Sequence, residues 1–243
     1  MKKLMIAASA ALVATVGLCV ESANIVGYQT TGFDKSGWMM NVGVAFSNVG
    51  AADGAFTLDD TFFGGAAAEG DQIITLDADL WDLYTCEKGP KGSGWVIMAP
   101  DGSSEVVSSL KFAKGDMMYY IPAEATSVNV AGEVADTTAA QTVTFDLSNE
   151  AGQWMFPLVN PYPIDTTWGD LNTFTKEGDQ LIILDADLWD LYTYEKGPAG
   201  SGWVVMAPDG SSEVINDEEA VAIAAGAAAY YIPTETVTWT VTL

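Results

Sequence analysis

One stretch of this chain occurs twice, and no other feature limits the fold as strongly. Glu69 to Val107 reads EGDQIITLDADLWDLYTCEKGPKGSGWVIMAPDGSSEVV, and Glu177 to Ile215 reads EGDQLIILDADLWDLYTYEKGPAGSGWVVMAPDGSSEVI. At an offset of 108, 33 of the 39 positions are identical. Self-similarity at a fixed spacing marks a repeated structural unit that any fold has to accommodate twice. The 243 residues therefore read as a leader over 1–23, a first module over 24–134, a linker at 135–140 and a second module over 141–243. Each module holds roughly 105 residues, near the usual domain size.

Within each block the pattern is that of a meander. Asp71 to Leu76 reads as a strand, Asp77 to Asp79 as a corner, Leu80 to Glu87 as a second strand, Lys88 to Gly94 as a loop and Trp95 to Ala99 as a third strand. A tight turn, Pro100 to Ser103, closes it. Short runs rich in Ile, Val, Trp and Tyr, punctuated every 8 to 12 residues by Gly, Pro and Asp, are the pattern of a sandwich or barrel. In Leu188 to Glu195 the period of two places Asp190, Tyr192 and Tyr194 on one face. Trp38 to Phe46 and Trp154 to Val159 read as matching buried strands. Downstream, Gly115 to Pro122 (GDMMYYIP) matches Gly226 to Pro233 (GAAAYYIP), with Ser127 to Val130 opposite Thr238 to Val241 as closing strands. The repeats differ in length between these landmarks. From Trp38 to Glu69 is 31 positions and from Trp154 to Glu177 only 23, a difference that falls in a connection, where loops tolerate it. Asp217 to Ala225 (DEEAVAIAA), with acids at its start, is predicted to be a helix. The fold class expected is all-β: two tandem homologous antiparallel β-sandwich domains of jelly-roll-like type.

Charge excludes several functions. The net charge is −24, all nine basic residues are Lys, and there is neither Arg nor His. Such a field repels phosphate backbones and lacks the residue that forks onto them, so no nucleic-acid partner is expected. The same argument disfavours anionic membrane surfaces. Lys2 and Lys3, followed by the apolar run Leu4 to Leu18 and small residues near Ser22 and Ala23, have the layout of an export signal. No stretch after it is apolar for long enough to span a bilayer, so the mature chain is predicted to be exported without membrane insertion, to the periplasm, cell surface or extracellular space. Cleavage near Ala23 removes Cys19 and leaves Cys86 alone, without a disulfide partner. Tyr194 stands at the matching position, so Cys86 reads as a small hydrophobe and not as a repeated ligand or nucleophile.

Three constellations carry chemistry. The first is the acidic corner Asp77, Asp79 and Asp82, repeated as Asp185, Asp187 and Asp190. Calcium takes six to eight oxygens, and three carboxylates with turn carbonyls would supply most of them, with Asp71 or Asp179 as a neighbouring acid. Solvated turn residues are the competing reading, because the spacing is not that of a calcium loop and Asp is a turn former. The second is aromatic. Trp81 and Trp189 lie beside the acidic corners, and with Tyr84, Trp95, Tyr192 and Trp203 they offer platforms on which sugar rings stack, although aromatics also fill the cores of small β domains. The third is catalytic: paired carboxylates invite glycoside-hydrolase chemistry. Acids are so abundant here that pairs arise by chance, and none is marked as a catalytic one. Without His there is no Ser–His nucleophile, and zinc loses its commonest ligand. The loop Gly89 to Gly94 lacks the following helix of a phosphate cradle.

The segment Trp154-Met155 to Asn160-Pro161-Tyr162-Pro163, followed by Gly178-Asp179-Gln180, a central Tyr strand, Gly202-Trp203 and a closing Gly-x-x-x-Tyr-Tyr, resembles repeats of exported surface proteins of Gram-negative bacteria. The first copy departs from this pattern, having Asn41-Val42-Gly43-Val44 at that place. The resemblance implies an exported β-sandwich repeat of unassigned activity and brings no catalytic residue. The expected role is that of a secreted, acidic, non-catalytic structural or interaction protein of the envelope, with an envelope protein or polysaccharide as partner. A carbohydrate-binding module, calcium-stabilised, is the alternative.

Overall fold

The computed structural model describes residues 26–33, 39–58, 67–77, 82–90, 94–98, 102–106, 110–133, 141–148, 153–160, 165–185, 190–207, 209–224 and 226–241. Among them strands predominate, and they include one short helix. The first set of strands is β1 (Val26–Phe33), β2 (Met40–Gly43), β3 (Phe56–Thr57), β4 (Gln72–Asp77), β5 (Asp82–Lys88), β6 (Trp95–Met98), β7 (Ser104–Val106), β8 (Lys111–Phe112), β9 (Met117–Ile121) and β10 (Thr126–Glu133). The second is β11 (Gln141–Phe145), β12 (Phe156–Val159), β13 (Thr166–Thr167), the helix α1 (Trp168–Asn172), β14 (Gln180–Asp185), β15 (Asp190–Lys196), β16 (Trp203–Met206), β17 (Ser212–Ile215), β18 (Val221–Ile223), β19 (Ala228–Ile232) and β20 (Val237–Val241).

Strand order is the same in the two sets. Six strands run β2-β9-β4-β5-β6-β7 in the first and β12-β19-β14-β15-β16-β17 in the second, and every pairing is antiparallel. Two ribbons accompany each sheet: β1-β10 and β3-β8, then β11-β20 and β13-β18. The first core lies between its sheet and the β3-β8 ribbon, with Phe56, Leu58, Ile73, Trp95, Phe112, Met118 and Tyr120 packed together. The second core gathers Phe145, Leu158, Leu181, Trp203, Tyr231 and Trp239 with Trp168 and Leu171 of α1.

Period-two alternation explains how one strand serves two interiors. All five residues of β9 are buried. Met118 and Tyr120 enter the first core, whereas Met117 and Tyr119 point the other way and meet residues of the second set. The matching strand β19 does the same: Ala229 and Tyr231 enter the second core, and Ala228 and Tyr230 meet Met117 and Tyr119. Both faces of these strands are covered, which is why MMYYI and AAYYI are continuous apolar runs and not alternating ones. The Tyr119 and Tyr230 rings meet edge to face at 6.0 Å. The Asn41 amide donates to the Ala228 carbonyl at 3.2 Å. Gly43 is a point of close approach between the two sets, since a Cβ there would stand 2.8 Å from Cγ1 of Val159.

Several expectations need correction. The strands predicted over Trp38 to Phe46 and Trp154 to Val159 are shorter, Met40–Gly43 and Phe156–Val159. The helix predicted over Asp217 to Ala225 does not form. Its acids close a turn instead: the Asp217 carboxylate accepts the Glu219 N–H at 3.1 Å and its carbonyl accepts that of Ala220 at 3.3 Å. Val221 to Ile223 then pairs with β13, so acidic residues read as a helix start serve as turn formers, and β-branched residues follow. A helix forms instead at α1, in the connection where the sequence suggests a loop. Thr167 caps it, accepting the Asp170 N–H at 3.2 Å, while the Asp170 carboxylate accepts the Thr167 N–H at 2.9 Å. This reciprocal pair is a capping box. The leader at 1–23 and the linker at 135–140 lie outside the described residues.

Candidate functional site

The acidic corners occupy equivalent places. In the β4-β5 hairpin Asp77 stands opposite Asp82, and in β14-β15 Asp185 stands opposite Asp190. Asp79, Asp187, Trp81 and Trp189 lie outside the described residues. Among the described residues no three Cys, Asp or Glu side chains converge to hold a metal ion. Cys86 in β5 and Tyr194 in β15 hold matching register positions, opposite Ile73 and Leu181.

Asp71 and Asp179 do not join the corners. Each precedes the first residue of its strand, β4 or β14, at the end remote from Asp77 or Asp185. Six steps of extended chain separate them, about 20 Å. Their carboxylates are buried, at 1% and 0% exposure, and are fully engaged. Asp179 accepts the Tyr231 hydroxyl, the Lys176 N–H at 2.7 Å, and the N–H and hydroxyl of Thr234, both at 2.8 Å. Asp71 accepts the Tyr120 hydroxyl, the Ala68 N–H at 2.8 Å and the Ala123 N–H at 2.7 Å. Burial, then the carboxylate they bond, holds the Tyr120 and Tyr231 hydroxyls protonated well above the ordinary tyrosine range. The glycine before each Asp has positive φ, 89° at Gly70 and 85° at Gly178, a conformation Gly adopts at little steric cost. The Glu-Gly-Asp-Gln signature is thus an anchor that ties a turn to the Tyr-Tyr strand.

Trp95 and Trp203 are not open sugar platforms, because both are fully buried. Lys88 and Lys196 lie over their rings, with Nζ 5.4 Å and 5.5 Å from the centroids, as cation–π partners.

The second set contains a cleft of about 300 Å³. Trp168 and Asn172 of α1 form one wall, Gly200 to Trp203 another, and Ile215 to Glu218 the third. The Trp168 ring lies 5.3 Å from that of Trp203 and 5.0 Å from that of Tyr194. Asn172 is the junction: its Oδ1 accepts the Lys196 ammonium and, at 3.0 Å, the Trp203 indole N–H. Desolvation lowers the Lys196 pKa, and Glu218 across the cleft partly offsets this. The sequence does not reveal the cleft because two of its walls, α1 and the 216–218 segment, lie where the repeats diverge. The signal that points to α1 is Thr167-Trp-Gly-Asp170, a capping-box pattern.

No family model, curated protein or solved structure matches the chain.

Proposed function

We propose that the chain is an exported, acidic, non-catalytic protein built of two tandem homologous β-sandwich modules, acting as a structural or interaction element of a bacterial envelope or its surroundings. What carries this reading is the use of the repeated chemistry: the best-buried carboxylates, Asp71 and Asp179, are consumed by tyrosine hydroxyls and turn N–H groups. Residues kept in both copies therefore serve architecture. The acids at the cleft, Asp217 and Glu218, are adjacent in sequence and exposed, unlike a pair facing each other across a sugar ring with one acid held protonated by burial. Co-sedimentation of the mature protein with Gram-negative envelope fractions, before and after protease treatment, tests the role. Retention lost with protease assigns a protein partner, retention that survives assigns polysaccharide, and no retention in either case refutes the interaction reading.

A second reading, a carbohydrate-binding module stabilised by calcium at the corners, is favoured by the cleft, where aromatic and polar side chains converge. For the cation part, a ligand bound only by the folded chain raises the thermal midpoint. A midpoint indifferent to millimolar calcium and to chelator removes it.

A further inference from the structure

We propose that the cleft between α1, the Gly200 to Trp203 segment and the Asn216 to Glu218 turn binds the end of a neutral glycan, one per chain. This rests on the carbohydrate reading above and goes beyond it by assigning the site, which is not the repeated Trp81 and Trp189. The volume, about 300 Å³, stands at the lower end of small-molecule pockets and suits a terminal unit more than a long chain.

The lining selects the chemistry. Asn172 and Asn216 bring amides, Asp217 and Glu218 bring acceptors, Lys196 brings a donor, and the buried Trp168 and Trp203 indoles back the cleft. A hydroxyl both donates and accepts, so a ring bearing several of them is matched by donors and acceptors that alternate around one cleft. An anion would meet two carboxylates and a chain of net charge −24. An organic cation would find the Trp203 ring, its natural aromatic seat, already covered by the Lys196 ammonium. Neutral, hydroxyl-rich ligands neither meet the repulsion nor need that ring face.

The site is also built before any ligand arrives. Asn172 is fixed by the Lys196 and Trp203 donors. The turn at 217–220 is closed by Asp217 and tied to α1 through the Gly169 N–H, which the Glu218 carbonyl accepts at 2.8 Å. Preorganisation of this kind lowers the entropic cost of binding. Two of the three walls belong to sequence found only in the second module, since Trp168 and Asn172 fall in the connection where the repeats differ in length. Stoichiometry therefore separates this site from any duplicated one.

The test is calorimetric titration of the full mature chain with short neutral oligosaccharides of the gluco-, galacto-, manno-, xylo- and N-acetylglucosamine series. The expected result is one equivalent bound per chain. Asn216→Ala and Glu218→Ala, at exposed side chains, should each weaken binding by roughly tenfold. Asn216→Trp, which fills the cleft, should abolish binding with the thermal midpoint retained, and Trp81→Ala and Trp189→Ala should leave it unchanged. Binding of two equivalents, or binding indifferent to the cleft variants, overturns the assignment and leaves the carbohydrate reading standing. Binding of acidic glycans alone overturns the neutral-ligand claim. Failure of every oligosaccharide to bind the wild-type chain refutes both the site and the reading beneath it.

Discussion

Replacing Asp179 by Asn tests the architectural use of the repeated acid in the copy where it holds more partners. Oδ1 of Asp179 accepts the N–H and hydroxyl of Thr234, and Oδ2 accepts the Tyr231 hydroxyl and the Lys176 N–H. An amide keeps one oxygen and turns an NH2 toward the other two donors, so two donors at this buried carboxylate lose their acceptor, at about 1–3 kcal/mol each. Asp179→Asn should then cost about 2–6 kcal/mol, a large part of the stability of a domain this size. Tyr231→Phe removes one donor to a charged acceptor and should cost about 1.5–3 kcal/mol. The two changes share one bond, so the double variant should be less destabilised than the sum, by about 0.5–3 kcal/mol. Urea unfolding followed by tryptophan fluorescence, with an unchanged slope against denaturant, reads all three values. Asp71 with Tyr120 provides an internal repeat of the cycle. A cost below about 0.5 kcal/mol for Asp179→Asn, or full additivity with Tyr231→Phe, would refute the anchor.

Further outcomes follow from the same geometry. Gly43→Val should destabilise by about 1–3 kcal/mol through overpacking, because its first side-chain atom meets Val159 of the second set; a thermal midpoint equal to wild type would show that the sets do not pack there. Stability should fall above about pH 10. The Tyr119, Tyr120 and Tyr231 hydroxyls are all raised by burial, so the folded chain keeps protons that the unfolded chain releases near its ordinary tyrosine pKa. The stabilisation is complete below that pKa and is lost as pH rises beyond it, by about 1.4 kcal/mol per pH unit for each tyrosine. Urea midpoints across the alkaline range check this, and Tyr231→Phe should make the decline shallower. Thr167→Ala should cost about 0.5–2 kcal/mol by removing the cap of α1, measured by thermal unfolding.

Much of the strand pattern could be read in order from the chain. Gln72–Asp77, Asp82–Lys88 and Trp95–Met98 fall within a residue or two of the expected meander, because alternation and turn residues are local signals. Local signals failed at Asp217, where acids suit either a helix start or a turn and only the availability of β13 as a partner decides. They failed at Asp71 and Asp179 for a different reason. The sequence marks these acids as kept, but their hydroxyl partners lie 49 and 52 positions away, and only the pairing of β9 with β4 and of β19 with β14 brings them together.

By itself, the sequence determined the doubled block, its β character, the charge that turns away anions, and the twin Tyr-Tyr strands. Only the tertiary structure decided that those strands face two interiors, that Gly43 lets the two sets close on each other, and that a five-residue helix walls a cleft beside Trp203. The physical reason is range. Propensity and period act between neighbours along the chain, whereas burial on a second face and the shape of a cleft depend on which distant surface arrives to cover them.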